Sequence, residues 1–159
     1  MQGAVYQHGS DTETGVPELM EPKPYVRHVH YYETDQMAIV HHSNYIRWFE
    51  EARLDYLNQL GLNYNAMEAQ GIIIPVTDVS CKYLISARYD DILEIIPIPT
   101  HYTGVRLAFR YEVRNQTTGA LCATGTSTHC FLDTQRRPIS LKRNAPQLHQ
   151  QFTELVSGI

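Results

Sequence analysis

Apolar residues recur every three or four positions from Tyr45 to Leu60, the most sustained helical period in the chain. Tyr45, Trp48, Phe49, Ala52, Tyr56, Leu57 and Leu60 fall on one wide stripe that needs a covering layer. Ser43 stands just ahead of the stripe. Its hydroxyl is of the type that caps a helix start by accepting from an orphan N–H. Gly61 follows as a stop signal. A second, short helix is predicted over 63–70, ending at Gly71.

Ahead of the long helix, residues 25–33 alternate, with Val26, His28 and His30 against Arg27, Val29 and Tyr31. That alternation predicts a strand, and residues 34–40 predict a turn. After Gly71 the period drops to two or gives way to continuous apolar runs. Strands are predicted over 72–86, 91–103, 105–115 and 119–133, with Pro75 near a strand start or on an edge. Leu107, Phe109, Tyr111 and Val113 share one face of the third of these. Residues 115–119 read as a hairpin loop, residues 133–139 as a turn and residues 146–156 as a closing helix. Successive strands with short connections pair antiparallel. One amphipathic helix and one such sheet give an α+β domain, a curved antiparallel sheet wrapped around a long central helix.

A length of 159 residues suits one domain with its own core. Residues 1–24 show no apolar period and hold three of the eight prolines, so they read as a flexible arm ahead of a domain over 25–159. The net charge is −4, of which residues 1–24 carry −3, leaving −1 on the domain. That balance excludes the basic footprint of a nucleic-acid binder. Cys81, Cys122 and Cys130 form no CxxC pair and read as reduced thiols used as small apolar side chains. No apolar run suits a membrane span and the N-terminus lacks a signal pattern, so the chain reads as cytoplasmic without membrane insertion.

The candidate chemistry lies between the first strand and the helix, in YYETDQMAIVHHSNYIRWFEEAR. Asp35 is a carboxylate in a short apolar turn, followed by His41 and His42 where the helix opens. A carboxylate there can act as nucleophile or general base. The helix start offers free N–H groups and a positive dipole end, which is what a developing oxyanion needs. On spacing alone, a capped turn with half-buried histidines is the simpler reading. Adjacent histidines tend to point apart, and with His28 and His30 they make no recurring ligand spacing, so no metal site is assigned.

The segment TDQMAIVHHSNYIRWFEEAR resembles the hotdog-fold acyl-CoA thioesterases, in the branch of 4-hydroxybenzoyl-CoA thioesterase and the Tol-Pal-associated thioesterase. The resemblance covers roughly residues 25–131. It implies the hotdog fold, whose strand order is the one predicted above, and hydrolysis of an acyl-CoA to a carboxylic acid and coenzyme A. It implies catalytic roles for Asp35, as nucleophile or base, and for His42, through its backbone N–H. It implies substrate-side roles for His41, Asn44 and Tyr45. The family commonly has Gly where this chain has Ala38, and Ala fits there if its φ is negative. Thr77 and Ser80 either face a substrate tunnel or are ordinary strand residues, and residues 87–91 read as a turn. Arg136 and Arg137, with Lys142 and Arg143, form the one basic cluster and are candidates for the coenzyme A phosphates. No cofactor is expected, because a thioester is already activated. Hotdog relatives pair sheets across a dimer, so a homodimer or homotetramer is expected. The competing readings are a non-catalytic acyl-binding or dehydratase-like module and a histidine-based metal protein.

Overall fold

A computed structural model describes residues 21–158 of the chain. In chain order these form β1 (Tyr25–His28), a 3-10 turn (Tyr31–Glu33), α1 (Ser43–Gln59), α2 (Tyr64–Ala69), β2 (Val76–Tyr83) and β3 (Ile92–Tyr102). Then come β4 (Arg106–Asn115), β5 (Leu121–Cys130), α3 (Leu141–Asn144) and α4 (Pro146–Ser157). The five strands make one antiparallel sheet in the order β1-β3-β4-β5-β2. This is the expected α+β hotdog architecture, with α1 against the inner face. Most of the predicted arm lies outside the described residues. Of its last residues, Lys23 exchanges two hydrogen bonds with the Gln59 side chain at the end of α1.

The core forms because the helix stripe meets small residues on the sheet. Tyr45, Trp48, Phe49, Ala52 and Leu57 are buried on α1, and Leu93, Ile95, Leu107, Phe109, Tyr111 and Val113 are buried on β3 and β4. Complete burial of a side chain the size of Phe49 contributes roughly 2–3 kcal/mol. On β5 the inward positions are Ala123, Gly125, Ser127 and His129. Gly125 is required there: a Cβ would stand 2.3 Å from the Phe49 ring and 2.8 Å from the Ser80 carbonyl. The missing side chain lets Phe49 stack on Tyr111, with ring centroids 4.4 Å apart.

Several boundaries differ from the sequence expectation. β1 stops at His28 instead of reaching 33, because Glu33 turns inward and its carboxylate takes the His30 N–H at 2.8 Å, closing the 3-10 turn. β2 begins at Val76 because Pro75 has no N–H for the ladder, and only Ile73 bridges to Leu132 before it. At its far end Leu84 and Ile85 both donate to the Cys122 carbonyl, which ends the regular ladder at Tyr83. Pro97 and Pro99 lie inside β3. They are tolerated because β1 pairs β3 only as far as Ile95, which leaves a free edge for the positions without an N–H. The closing helix is present as α4, its Phe152 packed against Phe131 and Tyr102. α3 was not anticipated.

Candidate active site

The turn that carries Asp35 is held from both ends. Thr34 and Val40 form an isolated antiparallel bridge. Inside it, Asp35 N–H donates to the Ile39 carbonyl and Ala38 N–H to the Asp35 carbonyl, each at 2.9 Å. Asp35 Oδ1 accepts the Met37 N–H at 2.8 Å. Among the described residues its Oδ2 has no protein donor. Ala38 has φ of +60°, so the expectation of a negative φ is corrected. The left-handed conformation is what a Gly would adopt without strain, and Ala bears a cost of about 1 kcal/mol to hold it.

Glu33 anchors this turn to the body of the protein. Its side chain is almost fully buried. Oε2 accepts from Arg27 Nη2 on β1 and from Trp48 Nε1 on α1, both at 2.9 Å. Its carbonyl accepts the His41 N–H and the Asn44 side-chain amide, both at 2.8 Å. Burial alone would raise the Glu33 carboxyl, but the His30 N–H, Arg27 and Trp48 outweigh it and hold the group below the usual carboxylate value. Sequence reasoning missed Glu33, because a glutamate ending an alternating strand carries no mark of inward turning.

The helix opening differs from expectation. His42, not Ser43, is the N-cap, and its backbone is already helical. The Ser43 hydroxyl pairs instead with His41 Nδ1 at 2.8 Å, and Ser43 N–H also points to that nitrogen at 3.2 Å. Asn44 N–H donates to the His41 carbonyl. That leaves the His42 N–H with no acceptor among the described residues. The two histidine rings do not point apart. They stack with centroids 4.1 Å apart. Tyr83 at the end of β2 donates its hydroxyl to the His42 carbonyl at 2.9 Å, tying the helix opening to the sheet edge.

Asp35, His42 and Tyr45 border one cleft of about 150 Å³, together with Met37, Ile39 and Tyr83. Tyr45 is its buried floor, its ring against Tyr83 and Trp48, and burial pushes its hydroxyl well above the ordinary value. His41 and Asn44 stand behind the cleft and fix its walls through Ser43 and Glu33. Arg136 and Arg137 are elsewhere in this chain. They lie in the turn after β5, beside the start of β2, whereas Asp35 neighbours its end, about 23 Å away by strand rise. Arg137 is paired with Asp133 at 3.0 Å, and Arg136 holds a φ of +61°. Thr77 and Ser80 are outer-face strand residues, bonded to Thr128 and Thr126. Residues 87–91 form a turn, in which the Ala87 carbonyl accepts the Val40 N–H and Asp90 pairs with His28. Among the described residues no three His, Cys, Asp or Glu side chains cluster as metal ligands. The three thiols are free, Cys122 buried and Cys81 and Cys130 half-buried. No described helix is long and apolar enough to cross a membrane.

Residues 29–154 match the family described as the thioesterase-like superfamily. YneP of Bacillus subtilis (strain 168), named as a candidate acyl-CoA thioesterase, is 32% identical over 125 residues, 78% of this chain and 90% of YneP. The acyl-CoA thioester hydrolase YbgC of Escherichia coli O6:H1 is 27% identical over 116 residues, 73% of this chain and 87% of its own length. Among solved structures, a DHNA-CoA thioesterase from Staphylococcus aureus superposes with a TM-score of 0.80 at 34% identity. That superposition covers 85% of this chain and 91% of the other.

Proposed function

We propose a reaction and its residues from one premise: the chain belongs to the thioesterase-like superfamily and is a thioesterase. The substrate is an acyl-CoA thioester, and water converts it to a carboxylic acid and the free thiol of coenzyme A. The observation that carries this reading is the cleft that Asp35 and His42 both border, where Asp35 Oδ2 and the His42 N–H have no protein partner among the described residues. Asp35 either attacks the thioester carbonyl carbon or takes a proton from the water that does. Both routes pass through a tetrahedral oxyanion before the C–S bond breaks and the thiolate leaves. The His42 N–H, at the positive end of α1, is the donor for that oxyanion. One such donor supplies roughly 3 kcal/mol of transition-state stabilisation.

We further infer that two chains pair through β2. This strand is a sheet edge, exposed at every position except Cys81. An open edge of this kind is a template for a second copy. Antiparallel self-pairing centred on Ser80 sets Asp78 opposite Lys82 twice, a match of opposite charges. It also brings the start of one β2, with the adjoining turn that carries Arg136 and Arg137, towards the Tyr83 end of the other. The two arginines then serve the coenzyme A phosphates of the neighbouring chain.

The test is a thiol-release assay over a panel of short and aromatic acyl-CoAs. Wild-type protein is expected to turn over at least one of them, and Asp35→Asn to lose most of that turnover while keeping its melting temperature. Full activity in the Asn variant removes Asp35 from the reaction. In the route through attack by Asp35, the mixed anhydride of Asp35 and the acyl group is then hydrolysed by water. Label in the Asp35 carboxyl group after a single turnover in 18O-water identifies that route, since a general base never acquires it.

A further inference from the structure

Beside the start of β2, a second cavity of about 200 Å³ opens between α1, α2 and the sheet. Its walls are mostly apolar, with Leu54, Leu57, Ile74 and Leu107 among them. Two polar side chains in it are almost out of solvent, Arg53 at 8% exposure and His129 at 1%. Among the described residues Arg53 has one hydrogen-bonding partner: its Nη1 donates to the Tyr111 hydroxyl at 3.1 Å. Among the described residues no carboxylate lies within ion-pairing distance of it. Glu50 also borders the cavity, but it is exposed. A buried cation without an acid is costly unless something supplies the missing charge.

The neighbouring hydrogen bonds have one direction. Arg53 can only donate, so the Tyr111 oxygen accepts from it. The Tyr111 proton then goes to its other partner, the Ser127 oxygen at 2.6 Å. Ser127 passes its own proton to His129 Nε2 at 2.7 Å. Nε2 is therefore an acceptor. Burial, with Arg53 nearby, pushes His129 down to about 4, so the ring is neutral near pH 7 and its proton sits on Nδ1. That Nδ1 is buried and has no partner among the described residues. Arg53 thus faces the cavity as a donor, and the relay through Tyr111, Ser127 and His129 fixes it in place.

We propose that this cavity binds the carboxylate of a small acid with a compact apolar body, either as a free acid or as the far end of an acyl group carried on a thioester. The carboxylate supplies the counter-charge that Arg53 lacks, and the apolar body lies against the leucines. The acyl-borne source rests on the proposed β2 pairing, which turns this end of one chain towards the Asp35 cleft of the other. The free-acid source needs neither pairing nor turnover.

Calorimetric titration of the intact protein with sodium benzoate, and with benzamide as its neutral counterpart, tests the site. Benzoate is expected to bind and benzamide to bind at least roughly tenfold more weakly, because only the anion satisfies the guanidinium. Arg53→Met keeps an unbranched apolar stem without the charge and is expected to lose benzoate binding while retaining a cooperative melt; Arg53→Lys recovers part of it. Asp35→Asn binds benzoate like wild type, so the site is measurable even if the chain hydrolyses nothing. The second arm compares benzoyl-CoA with 4-carboxybenzoyl-CoA. A loss in Arg53→Met confined to the carboxylated substrate assigns the cavity to the acyl group. Equal rates in the two proteins, with benzoate binding still dependent on Arg53, assign it to a free acid. Equal benzoate affinity in wild type and a folded Arg53→Met overturns the proposal, as does no heat in wild type up to about 10 mM.

Discussion

Trp48 Nε1 donates to Glu33 Oε2 at 2.9 Å, fastening the turn that carries Asp35 to the buried stripe of the central helix. The same carboxylate holds Arg27 on β1, so three elements meet on one group. Glu33→Gln removes the charge and leaves Arg27 without this partner. Breaking a buried pair in this way typically costs about 3 kcal/mol. The variant is expected to lose about that much stability in urea melts at pH 7. It is also expected to lose thioesterase activity, because the turn that carries Asp35 is no longer fastened by charge to Arg27 on β1, although the Glu33 carbonyl still accepts the His41 N–H. The pH dependence has a defined sign. The folded carboxyl lies below its ordinary value, so its contribution is complete above that value and is lost as pH falls through the depressed one. Wild-type stability therefore declines on acidification below about pH 4.5 more steeply than that of the Gln variant. Parallel declines in the two proteins would place the acid sensitivity elsewhere.

Ala38 occupies a left-handed conformation between Asp35 and the helix opening. Relief of that strain favours Gly by about 1 kcal/mol, and the greater freedom of Gly in the unfolded chain offsets part of the gain. Ala38→Gly is expected to raise the melting temperature by about 1–2 °C with activity intact. Ala38→Val puts a β-branched side chain at the same φ and is expected to lower stability by about 1–2 kcal/mol, with a fall in turnover as the Asp35 turn is distorted. Gly and Val variants of equal stability would show that the turn adopts a negative φ in solution.

The fold was legible because its signals are periodic. The stripe from Tyr45 to Leu60 became α1, and the four alternating runs after Gly71 became β2 to β5. The boundaries were not legible, since they depend on single partners: Glu33 turning inward to cap His30, Pro75 lacking an N–H, and Cys122 accepting two donors past the end of β2. At the candidate site, spacing alone reads more simply as a capped turn. It is the family resemblance that singles out Asp35, His42 and Tyr45, and the three line one cleft because a short bridged turn leads directly into the helix. Glu33 and Tyr83 were invisible. The first needed knowledge of which way its side chain points. The second arrives from a strand some forty residues away, and no local pattern announces that contact. Arg53 was hidden for a related reason: an arginine on the edge of an apolar stripe reads as solvated until the sheet above it is known.

The proposed pairing of β2 with a second β2 makes a charge prediction that the exposure of the strand alone does not. In the register centred on Ser80, Asp78 and Lys82 face each other twice across the two-fold axis. Lys82→Asp turns both contacts into like-charge pairs. Each cross-strand pair accounts for roughly 0.2–1 kcal/mol, so the change is expected to weaken the dimer by about tenfold in Kd. The exchanged variant, with Asp78→Lys and Lys82→Asp together, restores opposite charges and is expected to recover the wild-type dimer. Sedimentation equilibrium over a micromolar range measures all three proteins. A monomeric wild type would remove the pairing altogether. A dimer that Lys82→Asp does not weaken, or that the exchange does not rescue, would set the two chains in a different register or on a different face.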